Sequence, residues 1–201
     1  MGFRDRGIER KTQEQIEQMR VAGLRTGSTL EMLRGAVRPG ITTGVLDALA
    51  EEHIRAAGGT PSFLGFGDPP FPGTICVSVN DQVVHGSPGD RVLAEGDLVS
   101  IDCGAIIVDG SGQGWHGDAA ITVAVGEVSA AARELMRVTE EALWRGLAAA
   151  TLGGRITDIS LAVESHVRGQ QPGHPHLLDL LRGLALDAPV AEAHQAPVSS
   201  G

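Results

Sequence analysis

Cysteine is scarce in this sequence. Cys76 and Cys103 are the only two, too few for a disulfide framework or a four-thiolate zinc site. Tyrosine is absent, and four phenylalanines and two tryptophans are all the aromatic residues present, so any cluster of them carries information. Bases are outnumbered, 16 against 25 acids, for a net charge of −9. That balance offers no footprint for phosphate backbones or anionic lipid, and neither direct nucleic-acid nor membrane partners are expected. No apolar run approaches a membrane span, and the opening "MGFRDRGIERKTQEQIEQMR" lacks the apolar core of a signal peptide. A cytoplasmic location is the expectation.

What is there is an ordinary globular composition, 42% apolar and 20% charged over 201 residues, enough for one substantial core. Ile16, Met19, Gly23, Leu30, Leu33 and Val37 recur at helical spacing until "RPG" at 38–40. Thr43 is placed to cap a second helix with Val45, Leu46, Leu49 and Ile54 inward, ended by Gly58 and Gly59. The Pro- and Gly-rich loop 60–73 holds Phe63, Phe66 and Phe71, three of the four phenylalanines. "TICVSV" (74–79) and "QVVHG" (82–86) read as strands around an Asn80-Asp81 turn. Ser129 and Thr157 are placed to cap a third and a fourth helix, with Leu135, Val138, Ala142 and Leu147, then Ile159, Val163 and Val167, inward. The run 169–201, with four prolines and one short leucine-rich stretch, reads as an irregular tail. The fold class expected is α+β.

Between these elements "SIDCGAIIVDGSGQGWHGDAAITV" (100–123) reads as a long β-hairpin carrying two acids, Asp102 and Asp118. Alternation puts Val99, Ile101, Cys103, Ala105 and Ile107 on one face, with Ala119, Ile121, Val123 and Val125 from the second strand. Those faces merge only when odd residues pair with odd. A three-residue tip, Asp109-Gly110-Ser111, meets that condition and sets Asp102 directly opposite Asp118, with Cβ atoms roughly 4.5–5.5 Å apart. Two such carboxylates repel unless one takes a proton or a cation holds both. Divalent-metal-assisted hydrolysis is the sharp reading; a solvated polar face with two surface aspartates is the plain one.

"TICVSVNDQVVHGSPGDRVLAEGDLVSIDCGAI" and "GWHGDAAIT", with "VRPGITTGVLDALAEEHIRAAGGTPSFLGF" before them, resemble the type I methionine aminopeptidases of bacteria, over about residues 15–167. The resemblance implies a pita-bread fold and removal of the initiator methionine from nascent chains, with two divalent ions (Co, Mn, Fe, Zn or Mg) as cofactors. By motif, Asp102 and Asp118 look like two of five metal-binding side chains. His85 looks like the histidine that contacts the peptide and steadies the tetrahedral intermediate. Phe63, Phe66, Phe71 and Cys76 fall where the family lines its methionine pocket, a sensible neighbourhood for a thioether; ordinary core packing is the alternative for each phenylalanine. His116, next to Asp118, is placed to orient that carboxylate; an exposed histidine is the alternative. A proline-specific peptidase of the same fold is the less similar alternative.

Two departures shape the expectations. The hairpin tip is longer than the family's. Past the fourth helix, the family's Gly-His-Gly strand and two glutamates find no counterpart: His174 and His176 lie in "PGHPH", and Glu164 and Glu192 have the wrong surroundings. The domain division expected is therefore 1–168 as the N-terminal portion of the catalytic domain and 169–201 as an unmatched tail. The expected function is a metal-dependent methionine aminopeptidase, impaired by the three missing ligands. The alternative is an inactive remnant that binds or self-associates through its exposed half-fold surface.

Overall fold

A computed structural model describes residues 9–169, and the chain divides into two units, 1–129 and 130–201. The expected tail lies outside the described residues.

In the first unit Thr12 opens α1 (Gln13–Ala36) with a capping box: its side chain accepts from the Gln15 N–H at 3.2 Å while the Gln15 side chain accepts from the Thr12 N–H at 2.8 Å. The helix runs where the spacing places it, but Ile16 and Met19 are exposed. Its buried stripe begins at Ala22 and continues through Thr26, Thr29, Leu30 and Leu33. The reason is a close approach: a Cβ on Gly117 would lie 2.4 Å from the Ala22 carbonyl oxygen, so the helix rests on strand backbone through its small residues.

The second helix, α2 (Thr43–Ala56), is capped by Thr42 rather than Thr43; the Thr42 hydroxyl accepts from the Val45 N–H at 3.2 Å. Thr43 is buried and clamps a distant loop, donating to the Gly89 carbonyl at 3.1 Å and accepting from the Gly89 N–H at 2.9 Å. Leu46 and Ile54 are buried as expected, whereas Val45 faces outward.

The sheet is built around β3 (Leu98–Val108), which pairs antiparallel with β4 (Gly114–Ala124) along its whole length and with β2 (Ile75–Val79) and the short β1 (Thr60–Pro61) on successive stretches. Its odd face, Val99, Ile101, Cys103 and Ala105, packs with Ile75, Val77, Leu33, Leu46 and Ile54 into one core. Burial of a face of alternating branched residues against two helices is what holds this unit together.

Residues 82–86 are not a strand. Gly86 meets β2 closely: the Val77 N–H donates to its carbonyl at 2.8 Å, and a side chain on Gly86 would sit 2.2 Å from the Val77 carbonyl oxygen, so only glycine fits there. Val83 and Val84 are exposed. The turn before them is real: Asn80 takes φ +58° and its side chain bridges the Leu98 N–H and Asp97.

In the second unit α3 (Ala130–Ala149) starts directly after Ser129, and α4 (Ile156–Gly169) follows residues 150–155. Thr157 lies inside α4; the Asp158 carboxylate caps the helix, accepting from the Arg155 N–H at 2.7 Å. Val138, Ala142 and Val167 are buried together. Leu147, expected inward, is exposed. Gly146 faces α4 instead, because Val163 and Ile159 press within 3.0 and 3.4 Å of where its Cβ would be. Among the described residues no helix is long and apolar enough to cross a membrane.

Candidate active site

Pairing in the hairpin is odd with odd, but the tip is Asp109–Gln113, two residues longer than expected. The register therefore shifts by two. Asp102 stands opposite Ala120, and Asp118 opposite Gly104. The carboxylates are diagonal neighbours on one face, which separates their Cα atoms by about 7–8 Å rather than placing them face to face. Asp109 explains the longer tip: its carboxylate accepts from Ser111 N–H and Oγ–H at 2.8 and 2.6 Å, from Gln113 N–H at 3.1 Å and from the Trp115 indole N–H at 2.7 Å. Those bonds hold the Asp109 carboxyl down at about 2.

On the same face Cys76 pairs across from Asp102 on the other side of β3. Burial, and then Asp102, Asp118 and Asp47, push the Cys76 thiol up to about 11, and burial pushes Cys103 up to about 12. Neither thiol is a nucleophile at neutral pH. Burial also raises the carboxyl of Asp102, with the Asp118 charge adding to it, while the His85 charge pulls it back. Burial raises Asp118 as well, and His116 opposes that shift. Repulsion in such a pair belongs to both acids; it is Asp102, the more enclosed, that it lifts.

Asp102 has a further distinguishing feature: its Oδ1 is buried without a hydrogen-bond partner. An orphaned carboxylate oxygen beside a second acid is the donor chemistry a hard divalent cation takes. Among the described residues, however, no group of three or more His, Cys, Asp or Glu side chains could hold a metal ion. Two carboxylates do not satisfy a cation that wants about four to six ligands. The described residues thus fit part of a metal centre and do not complete one. Glu164 lies on α4 in the second unit, paired with Arg168 at 2.6 Å; His174, His176 and Glu192 lie outside the described residues.

The remaining expected site residues are placed unequally. Phe63 sits over Gly104: a Cβ there would meet the Phe63 ring at 2.9 Å and Ser62 at 2.8 Å. Gly104 is the partner of Asp118, so this ring is brought beside the acids. Phe71 is half-buried and tied back to Phe66 through its N–H at 2.7 Å, while the Phe66 side chain is 75% exposed and turned to solvent. His116 is exposed, with Nδ1 3.5 Å from Ser62 Oγ. His85 is exposed, with φ +58°.

Two contributors are missed by the reading of the sequence. Asp47 on α2 accepts from Thr74 N–H at 2.7 Å and Ile75 N–H at 2.9 Å, anchoring the start of β2 one residue before Cys76. Ser78 accepts from Gly86 N–H at 3.1 Å, next to His85. The available signal was a polar residue interrupting an apolar stretch, Asp47 after Leu46 and Ser78 within "ICVSV".

An antiparallel sheet with helices over its apolar face and two acids on the other, Asp102 half-buried and Asp118 exposed, has the α+β architecture of the pita-bread hydrolases. The chain belongs to metallopeptidase family M24, whose sequence model matches residues 17–197. It is 47% identical over 158 residues to a methionine aminopeptidase of Clostridium acetobutylicum, covering 78% of this chain and 60% of that protein. To methionine aminopeptidase 1 of Mycobacterium tuberculosis it is 44% identical over 167 residues, covering 83% and 60%. The solved structure of methionine aminopeptidase from Rickettsia prowazekii superposes with a TM-score of 0.76 at 32% identity, covering 81% of this chain and 63% of that one. The chain spans about 60% of the length of the curated relatives it matches.

Proposed function

We propose that the chain is a metal-dependent aminopeptidase that removes the initiator methionine from nascent proteins in the cytoplasm. The observation that carries this reading is Asp102: a half-buried acid with one oxygen unpartnered, sharing a sheet face with Asp118 and Cys76. The similarity to methionine aminopeptidases supports the substrate.

In this reading residues 1–168 form the N-terminal portion of the catalytic domain. Asp102 and Asp118 are the carboxylates that hold a divalent ion, which when bound polarises a carbonyl and acidifies a water. Phe63, with Cys76 and Phe71, offers an apolar wall on which an unbranched thioether packs. His85 donates a hydrogen bond to the peptide oxygen as it gains charge. His116, held near Ser62, steadies the Asp118 end of the hairpin.

A second reading, an inactive module that self-associates, is favoured by one observation: the described residues supply no third metal donor. One experiment separates the two. Calorimetry of the folded chain with Mn²⁺ or Co²⁺, in parallel with hydrolysis of Met-Ala-Ser, is expected to show uptake that Asp102→Asn and Asp118→Asn together abolish, with slow turnover. Uptake unaffected by both substitutions would overturn the site. Bound metal with no turnover, and sedimentation as a dimer or larger, would favour the second reading.

A further inference from the structure

Among the described residues two that are not glycine have positive φ, Asn80 and His85, both at +58°. Asparagine visits this region through local bonds of its short side chain, and those bonds are present at Asn80. The His85 side chain makes no such local bond among the described residues, so its conformation is held from outside.

The holding groups are on β2 and on the residue after the histidine. The Val77 N–H donates to the Gly86 carbonyl at 2.8 Å. The Gly86 N–H donates to Ser78 Oγ at 3.1 Å. Gly86 itself lies so close to β2 that any side chain would meet the Val77 carbonyl oxygen at 2.2 Å. Ser78 is 5% exposed and is the one polar member of a strand made otherwise of Ile75, Cys76, Val77 and Val79. Burying a hydroxyl is costly unless it is hydrogen-bonded, and here it accepts from the Gly86 N–H, the peptide that follows His85.

We infer that Ser78 is a positioning residue: by clamping the Gly86 N–H it sets the left-handed backbone of His85, and with it the direction from which the imidazole meets a bound peptide. The inference rests on the proposed role of His85, and it adds a residue that touches no substrate.

The test uses the full chain and the variants Ser78→Ala, Ser78→Thr, His85→Ala and the Ser78→Ala/His85→Ala double. Two backbone readouts come from ¹⁵N NMR: amide exchange at Gly86 and the HN–Hα coupling of His85. In Ser78→Ala the Gly86 amide should exchange about tenfold faster, the loss of one hydrogen bond, with the Val77 amide still protected and the His85 coupling moved. Ser78→Thr, which keeps the hydroxyl, should restore both. Binding of Met-Ala-Ser in Mn²⁺ should weaken about tenfold in Ser78→Ala and by no further factor when His85 is already alanine.

Unchanged exchange and coupling in folded Ser78→Ala would overturn the inference, as would an equal loss of binding in both backgrounds, which marks a merely structural residue. If the wild-type chain and His85→Ala bind the tripeptide alike, or neither binds it, the role of His85 fails instead, and the backbone readouts alone uphold or overturn the clamp. Should Ser78→Ala not fold, Ser78→Cys, of similar volume and weaker acceptor strength, is read in its place.

Discussion

Residues 9–129 and residues 130–169 show two ways a segment can use its apolar side chains. In the first, an eleven-residue central strand lays a continuous apolar face under two helices, and Leu33, Leu46, Ile75, Val99 and Ile101 are fully enclosed. In the second, two helices share a narrow seam of Val138, Ala142 and Val167, while Leu143, Trp144, Leu147 and Leu161 stay exposed. A sheet covered by helices is a closed layer arrangement, whereas a helix pair meets only along one stripe. The acids, the histidines and the phenylalanines proposed for chemistry all sit in the region with the closed core. A binding geometry needs that support, since each side chain is only as well placed as the backbone under it.

Truncating the centre of each region is the strongest way to test the contrast. Ile101→Ala, at the middle of β3, should cost about 3 kcal/mol, and Val138→Ala about 1–2 kcal/mol, both read from urea unfolding. Equal losses would break the comparison. Next in size is Gly117→Ala. Its new methyl group would press on the Ala22 backbone, and lifting α1 from β4 should cost about 1–3 kcal/mol. A variant as stable as the parent would mean that α1 is free to slide.

A smaller effect concerns pH. Asp109 has its carboxyl lowered to about 2. A depressed acid contributes stability that is present above its unfolded value of about 3.9 and is lost as pH falls through the folded one. The indole N–H resonance of Trp115 should therefore shift near pH 2, and Asp109→Asn should remove the titration. A midpoint close to pH 4 would show that the hairpin tip is not organised as described. The smallest effect is expected at the surface of the second region, where Leu147→Ser should change stability by under about 0.5 kcal/mol. A clear loss of helicity by circular dichroism would show that the exposed leucine is doing more than its exposure suggests.

Much of this was legible from residue order. Helical spacing located all four helices, and Gly58 stopped α2 where it was expected. Parity put Val99, Ile101, Cys103, Ala105 and Val123 on the buried face, though Ala119 is exposed, and left Asp102 and Asp118 together on the other. The misplacements have a common cause. Thr43 and Thr42 are both good caps, and only a contact with Gly89, far along the chain, assigns Thr43 elsewhere. "QVVHG" has strand composition, yet it forms no strand, and only the contact of Gly86 with the distant Val77 backbone shows how it is held. Phe66 belongs to an aromatic cluster in sequence and points to solvent in the fold.

By itself, then, the order of residues determined which faces are apolar and which residue types could bind a metal, because period two and period 3.6 are properties of the local backbone. The register of β3 on β4, the strained backbone of His85 and the unpartnered oxygen of Asp102 were decided by tertiary structure alone. Each depends on which distant backbone or side-chain group arrives within bonding distance, and no local period encodes that.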